Sequence, residues 1–270
     1  MSQSKDTLGD RLKQVEQMEA GRKADREWPL MARLDGKAFH TFTRGLARPY
    51  DTRLSDLMLM TTCYLVEQTN ARVGYTQSDE ISLYWDLDLE KNPDAQFMYD
   101  GKFQKMTSIL ASMAGGFFNK HLPSKLPQKS DSIPVFDCRV WTVADHREVY
   151  LNFLWRQDDA IKNSISMAAQ ASFSHSRLHG VGSEEKKAML REVGKPWEDY
   201  PTFFKMGTFV GRVSREVELT EEQLAKIPEQ HRPNGPVVRT FVEDLNLGYL
   251  KNEPGQVVKQ LFGYEPNRGE

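Results

Sequence analysis

The stretch RVGYTQSDEISLYW, residues 72–85, predicts a β-hairpin. Two runs rich in strand-forming residues, 72–77 and 81–85, stand on either side of Ser78-Asp79-Glu80. Short polar residues between two such runs favour a tight reversal of the chain. The hairpin therefore supplies two antiparallel strands, and its tip carries two adjacent acidic side chains.

The elements on either side of this hairpin predict an α+β fold. Apolar runs typical of buried strands occupy residues 28–35 and 136–143. Apolar residues at helical spacing predict helices at 53–68, 103–118 and 148–171. The order strand, helix, hairpin, helix, strand is a split βαββαβ pattern. We expect one antiparallel sheet with its helices on one face.

The chain divides into three predicted regions. Residues 1–27 are charged with a weak helical pattern, and we expect a peripheral helical extension there. Residues 28–213 form the predicted main α+β domain with basic helical insertions, ending in a charged helix at 183–193 and a β-like run at 203–213. Residues 214–270 form a predicted loop-rich extension, with prolines at Pro228, Pro233, Pro236 and Pro254.

Composition excludes several classes of protein. With 270 residues, 39% hydrophobic and 27% charged, the chain is neither a disordered protein nor a stapled mini-protein. Lys and Arg (36) nearly balance Asp and Glu (38), so the formal charge is only -2. A nucleic-acid partner would therefore have to be held by local basic patches.

The remaining composition predicts a cytoplasmic protein. Cys63 and Cys138 lie in apolar runs, which favours buried reduced thiols and a reducing compartment over a disulfide. Eighteen consecutive apolar residues occur nowhere, and Met1 to Arg11 is polar, so neither a membrane span nor a secretory signal is expected.

Acidic residues at two strand ends are the most informative chemical feature. Asp35 ends the first strand, and Asp79 with Glu80 lies at the hairpin tip. If these strands are neighbours, their carboxylates meet, which is costly unless cations neutralise them. Two magnesium ions roughly 3.5–4 Å apart would do so, and Gly36 would let its backbone carbonyl approach them. The pattern alone leaves open a plain turn at Asp35-Gly36 and a solvated hairpin tip.

A lysine-rich stretch without acidic residues predicts a phosphate-binding strip. Residues 101–130 contain no Asp or Glu but include Lys102, Lys105, Lys120, Lys125 and Lys129. Lysines bind phosphates as compact point charges. The alternative is an ordinary solvated helix face. Motifs for nucleophilic catalysis or a phosphate-cradling P-loop are absent from the sequence.

Taken in order, several short runs resemble the tRNA-histidine guanylyltransferase family, including its broader branch of 3′-to-5′ RNA polymerases. These runs are ARLDGKAFHTF (32–42), YTQSDEISLYW (75–85), FDCRV (136–140), LWRQDDAIKN (154–163) and KMGT (205–208). The resemblance covers roughly residues 28–213 and implies a polymerase-like palm that extends RNA at its 5′ end. It further implies that ATP or GTP activates the tRNA 5′-monophosphate.

The resemblance also assigns roles to individual residues. Asp35 and Asp79 match metal-binding carboxylates, Gly36 matches the residue whose carbonyl joins them, and Glu80 matches a neighbouring helper acid. The nucleotide-binding positions implied are Asp35, Gly36, Lys37, Ala38, Phe39, His40, Arg48, Ser78, Asp79, Lys102 and Lys105. Contacts with tRNA are expected at Lys120, Lys125, Lys129, Lys162, Asn163 and Lys186.

One departure from the family pattern bears on the substrate. Where guanylyltransferases proper carry His-Ile-Asn-Asn, this chain has Ile161-Lys162-Asn163-Ser164. The change favours the branch that resembles tRNA 5′-end repair polymerases, and the resemblance suggests a homotetramer. Three alternatives stay open: a strict tRNA-His guanylyltransferase that adds one G, a palm-fold nucleotide cyclase, and a catalytically silent tRNA-binding module.

Overall fold

The computed structural model describes residues 7–252 together with Pro254, Lys259, Leu261 and Phe262. Its strands are β1 (Leu30–Gly36), β2 (Val73–Gln77), β3 (Glu80–Trp85), β4 (Phe136–Thr142), β5 (Thr208–Val217) and β6 (Val237–Asp244). Its helices are α1 (Thr7–Ala20), α2 (Phe39–Phe42), α3 (Thr52–Thr69), α4 (Phe103–Lys125), α5 (His146–Gln170), α6 (His175–Leu178), α7 (Ser183–Glu192), α8 (Thr202–Met206) and α9 (Glu221–Ala225). Short 3-10 turns lie at Met98–Gly101, Pro127–Lys129, Trp197–Asp199 and Glu229–His231.

The strands form one antiparallel sheet in the order β4-β1-β3-β2-β5-β6. Its first four strands in the chain, with α3 and α4, follow the βαββαβ order that the sequence predicts. The α+β class is therefore confirmed. β1 lies between β3 and β4, so the strand that ends in Asp35 has a hydrogen-bonded neighbour on each side.

Helices cover both faces of the sheet, so the prediction of helices on one face is wrong. On the first face, α3 and α4 pack over Ala32, Leu34 and Leu83 in the larger apolar core. On the second face, Val149 and Phe153 of α5 pack among residues such as Met31, Tyr75 and Tyr84. Successive residues of a strand point to opposite faces. Every residue of β2 and β3 is buried, which requires cover on both sides.

Two predicted strand boundaries also need correction. Glu80 does not lie in the hairpin tip but is the first residue of β3, opposite Gln77 and Asp35. The run 203–213 is not one strand, because α8 ends at Met206, Gly207 follows with a φ of 74° that few residues other than glycine adopt, and β5 begins at Thr208.

The region after residue 213 contributes to the sheet. β5 continues to Val217, and β6 pairs with it along the register Val210↔Asp244 to Val217↔Val237. A strand therefore lies within the stretch that the sequence predicts to be rich in loops. Among the described residues, no helix has the length and apolar composition needed to cross a membrane.

Both cysteines are free thiols. Cys138 is buried in β4, and burial raises the pKa of its thiol to about 12. Cys63 is half-buried in α3, where burial likewise raises its thiol pKa. Neither thiol has the lowered pKa that reactive cysteines need.

Candidate active site

The two predicted metal-binding acids meet at one edge of the sheet. Asp35 is the penultimate residue of β1 and lies opposite Glu80 of β3. Asp79 occupies the two-residue turn that precedes Glu80, next to Ser78 with its left-handed φ of 51°. The Gly36 amide donates a hydrogen bond to the Asp79 carbonyl oxygen at 3.1 Å, which ties this turn to the end of β1.

The electrostatics of Asp79 fit a cation site. Burial raises the pKa of its carboxyl, and the nearby negative charge of Asp35 raises it further. A carboxylate that is both desolvated and close to a second carboxylate gains stability from a bound cation. Oxygen donors of this kind are the ligands that magnesium prefers. The donor set at this edge, two carboxylates and the Gly36 carbonyl, therefore fits magnesium.

This donor set is small. Within the described part of the chain, no three side chains of His, Cys, Asp or Glu converge into a metal cluster. Magnesium usually binds one or two carboxylates and completes its shell with water and substrate phosphates. Two carboxylates thus suit an ion that arrives with a nucleoside triphosphate better than a permanent structural ion.

A cavity of about 520 Å³ opens beside these acids. This volume lies in the range of small-molecule sites. It brings together seven of the predicted nucleotide-binding positions, namely Gly36, Ala38, Phe39, His40, Arg48, Ser78 and Asp79. The other four, Asp35, Lys37, Lys102 and Lys105, do not line it. Asn163, predicted to contact tRNA, also lines the cavity.

Gly36 has a packing role in addition to its predicted carbonyl contact. A Cβ atom at Gly36 would lie 2.3 Å from the Phe39 ring, closer than any real contact. Phe39 itself is buried against Phe42, Phe118 and Phe136, so it cannot easily move away. The close approach of ring and backbone fixes the turn that follows Asp35.

Glu80 is already bound by a protein side chain. Arg156 of α5 donates two hydrogen bonds of 2.7 Å to the two Glu80 carboxylate oxygens, and a third of 2.8 Å to Asp159. The side chains of Glu80 and Arg156 are 9% and 11% exposed. Burial raises the Glu80 pKa, while the Arg156 guanidinium opposes that rise. The ion pair with α5 therefore holds Glu80 at the start of β3, directly after the turn that carries Asp79.

The lysines of the predicted basic strip differ in the contacts that their side chains make. Lys102, Lys105 and Lys120 are exposed on or next to α4, and the Lys105 ammonium lies 4.9 Å from the Tyr99 ring centroid. Lys125 pairs with Asp56 at 3.7 Å, and the Lys129 ammonium donates to the Arg44 carbonyl at 2.8 Å.

The remaining predicted tRNA contacts lie on α5 and α7. Lys162 is exposed, and the Asn163 amide donates to Asp159 at 3.2 Å. The Lys186 ammonium donates to the Ser166 hydroxyl at 3.3 Å, which joins α7 to α5.

Sequence reasoning missed the aromatic wall of the cavity. Tyr50 packs against Phe203 and Phe204, with ring centroids 5.3 and 4.8 Å away, and all three line the cavity. The adjacent aromatic residues Phe203 and Phe204 could have indicated this wall, but their sequence pattern predicts a strand there.

Asp51 was also missed, although it lines the cavity and caps α3. Its carboxylate accepts from the Arg53 guanidinium at 2.7 Å and from two backbone amides. The hydrogen bond from Arg53 lowers the Asp51 pKa to about 2. The cavity wall therefore contains a permanently ionised carboxylate at neutral pH.

An antiparallel α+β sheet with two adjoining carboxylates beside such a cavity is compatible with a nucleotidyltransferase, and the comparison with known families supports that class. The family model described as tRNAHis guanylyltransferase matches residues 10–144, half of the chain. The chain belongs to the tRNAHis guanylyltransferase family, whose substrates are tRNA and nucleoside triphosphates.

Two relatives match most of the chain, and one of them is described as a tRNA(His) guanylyltransferase. An uncharacterized protein of Acanthamoeba polyphaga mimivirus is 28% identical over 223 residues, 75% of this chain and 76% of the relative. The tRNA(His) guanylyltransferase of Schizosaccharomyces pombe is 26% identical over 194 residues, 66% of this chain and 71% of that enzyme.

Solved structures give the same result. A bacterial tRNA(His) guanylyltransferase-like protein in complex with ATP superimposes with a TM-score of 0.76 at 30% identity, covering 94% of this chain and 99% of that one. A bacterial protein of the same description in complex with GTP has a TM-score of 0.73 at 27% identity, covering 95% of this chain and 100% of that one.

Proposed function

We propose that this protein is a magnesium-dependent enzyme that adds nucleotides in the 3′-to-5′ direction to the 5′ end of tRNA. The observation that carries the proposal is the meeting of Asp35 and Asp79 at one sheet edge beside the cavity. The structural neighbours that bind ATP and GTP support nucleoside triphosphates as its substrates. The sheet order is compatible with a polymerase-like palm.

The reaction has two steps. A 5′-phosphate oxygen of the tRNA attacks the α-phosphorus of ATP or GTP, a phosphoanhydride bond forms, and pyrophosphate leaves. The 3′-hydroxyl of the incoming nucleotide then attacks the activated 5′-phosphorus, loses its proton to solvent, and displaces the nucleoside monophosphate. The product keeps a 5′-triphosphate on its new first nucleotide.

The residues of this site would act mainly by position and charge. Asp35, Asp79 and the Gly36 carbonyl would hold magnesium, which supplies charge neutralisation and lowers the pKa of the attacking hydroxyl. Phe39 fixes the turn under the nucleotide by its packing against Gly36. No protein side chain has to act as general base, because orientation and electrostatics provide most of the acceleration in phosphoryl transfer.

The basic residues outside the cavity are assigned to a second triphosphate and to the tRNA. Lys102 and Lys105 are exposed and lie outside the cavity wall, as expected of residues that meet a second triphosphate. Lys120 and Lys162 are exposed and free to meet the tRNA backbone. We further propose that residues 28–213 carry the catalytic machinery between two extensions, and that the protein is a cytoplasmic homotetramer.

Repair of tRNA 5′ ends is the preferred form of this activity. Ile161-Lys162-Asn163-Ser164 replaces the motif tied to strict use of histidine tRNA. A strict tRNA-His guanylyltransferase is the second candidate, favoured by the description of the matching family model. A nucleotide cyclase would form product from nucleoside triphosphate alone, without RNA.

The test compares two RNAs in one assay. Histidine tRNA and a different tRNA that lacks its first nucleotide are incubated with magnesium, ATP and labelled GTP or the complementary nucleotide. Extension of the truncated tRNA by the nucleotide that pairs with the opposite strand is expected. Extension of histidine tRNA alone would favour the strict enzyme, and RNA-independent product would establish the cyclase.

A further inference from the structure

Trp155 on α5 is exposed in a way that packing does not explain. Its side chain is 56% exposed, the largest exposed fraction of any aromatic residue in the described part of the chain. The next residues of α5 on its core side, Phe153 and Gln157, are buried completely. Trp155 therefore lies outside the apolar core.

Two arginines flank this ring. The Arg156 guanidinium carbon lies 4.5 Å from the Trp155 ring centroid, and that of Arg33 lies 5.6 Å from it. Arg156 is engaged by Glu80, whereas Arg33 forms no salt bridge with any residue that the structure describes. Arg139 stands directly opposite Arg33 on the edge strand β4; it is exposed and forms an equally exposed salt bridge of 3.4 Å with Asp137, which a phosphate can replace. An open aromatic face therefore lies beside two guanidinium groups that can reach a phosphate.

This cluster is adjacent to the acids of the active site. Arg33 precedes Asp35 by two residues on β1, so both side chains lie on the same face of the sheet, about 7 Å apart along the strand. Trp155 does not line the nucleotide cavity, whose α5 wall begins at Ala160. The Trp155 cluster is therefore next to the strand that carries Asp35 but outside the wall of the cavity.

The chemistry of the cluster selects its partner. Planar aromatic rings with nearby arginines bind unpaired nucleobases by stacking and bind the backbone by charge. An apolar peptide would not use the two guanidinium groups, and a free phosphate would not use the ring.

We propose that Trp155, Arg33 and Arg139 form the docking platform for the terminal nucleobase at the 5′ end of the RNA substrate, with the Trp155 ring against the outer face of that base. Trp155 stacks on the base, and the two arginines hold the adjoining phosphates. The terminal phosphate is thereby presented to the carboxylates by a surface outside the nucleotide cavity. This inference rests on the proposed function.

The experiment measures RNA binding without turnover. A tRNA that lacks its first nucleotide, labelled at its 3′ end and carrying a 5′-monophosphate, is titrated with the full chain in the absence of nucleoside triphosphate. Trp155→Ala should weaken binding by at least about fivefold, the lower end for the loss of one stacked base. Trp155→Phe should retain most of the affinity. Trp28→Ala, at another exposed tryptophan (48%), should bind like the unsubstituted protein.

A second RNA identifies the contact. When the 5′-terminal residue is abasic, the unsubstituted protein should bind more weakly and Trp155→Ala should cause no further loss, because the two changes remove the same interaction. Arg139→Gln should reduce the dependence of affinity on salt. The KM for ATP should be the same in Trp155→Ala and the unsubstituted protein.

Three results would overturn the platform: unchanged RNA affinity in Trp155→Ala, an equal loss with intact and abasic RNA, or a changed oligomeric mass in Trp155→Ala. The last would identify Trp155 as a subunit contact. Because binding is measured directly, a protein that binds RNA but adds no nucleotide would refute the proposed function while the stacking test still gives its answer.

Discussion

The buried pair of Glu80 and Arg156 provides the sharpest prediction about the site. Arg156→Met removes the guanidinium that donates two hydrogen bonds of 2.7 Å to Glu80. Since these side chains are 9% and 11% exposed, the carboxylate would be left buried without its partner. Breaking one side of such a pair costs about 3–5 kcal/mol of the free energy of unfolding.

The double variant Glu80→Gln/Arg156→Met separates this effect from lost packing. It removes both charges, so it should recover most of the stability that the single variant loses. Arg156→Lys keeps the charge but not the bidentate geometry, so its free energy of unfolding should lie between those of Arg156→Met and the unsubstituted protein. A matched control is Arg215→Met, because the exposed pair of Arg215 and Glu243 should contribute less than about 1 kcal/mol.

The assay is urea denaturation of all four variants and the unsubstituted protein, followed by nucleotide addition to the truncated tRNA. Arg156→Met should also reduce addition, because Glu80 directly follows Asp79 and anchors the turn that carries it. The reasoning fails if Arg156→Met and Arg215→Met destabilise the protein equally, or if the double variant is no more stable than Arg156→Met.

Three further predictions concern single residues. Asp79→Ala should abolish magnesium-dependent addition while circular dichroism shows a folded protein; retained turnover would remove Asp79 from the site. Gly36→Ala should cost about 1–3 kcal/mol in denaturation, because its Cβ would lie 2.3 Å from the Phe39 ring, and an undiminished stability would contradict that contact. Asp51→Ala should cost about 2 kcal/mol at pH 7, as expected for a helix cap whose pKa is lowered to about 2 from 3.8. A carboxyl whose pKa is lowered by folding stabilises the protein fully above its ordinary pKa, and this stabilisation is lost as the pH falls through the lowered pKa. The stability cost of Asp51→Ala should therefore shrink between about pH 4 and 2, and a constant difference in stability down to pH 2 would refute this prediction.

The order of the sheet elements was predictable because their patterns are local. The hairpin, α3 and β4 each show their own periodicity, and the structure places them within a few residues of the predicted bounds. The meeting of Asp35 and Asp79 followed from the assumption that β1 and the hairpin are neighbours. That assumption holds, since β1 pairs with β3.

The errors came from contacts between distant residues. Glu80 is buried with Arg156 as its partner, 76 residues away in the sequence. The residues next to Glu80 in the sequence do not show this partner, and they therefore predict only a polar turn. β6 is an edge strand with mostly exposed or half-buried residues, and its pairing with β5 is not visible in a proline-rich stretch. α5 covers the second face of the sheet, where Met31 and Tyr84 are buried. Strands buried on both faces read as continuous apolar runs, so the sequence does not show that this face also needs a helix.

The central claim is that Asp35 and Asp79 together hold divalent cations. Manganese, a paramagnetic substitute for magnesium, can be titrated into the protein with a non-hydrolysable nucleoside triphosphate and followed by electron paramagnetic resonance. We predict two bound ions per chain in the unsubstituted protein and at least about tenfold weaker binding in both Asp35→Asn and Asp79→Asn, since each removes one of the two carboxylates. Manganese affinity that is unchanged in either variant would contradict the account.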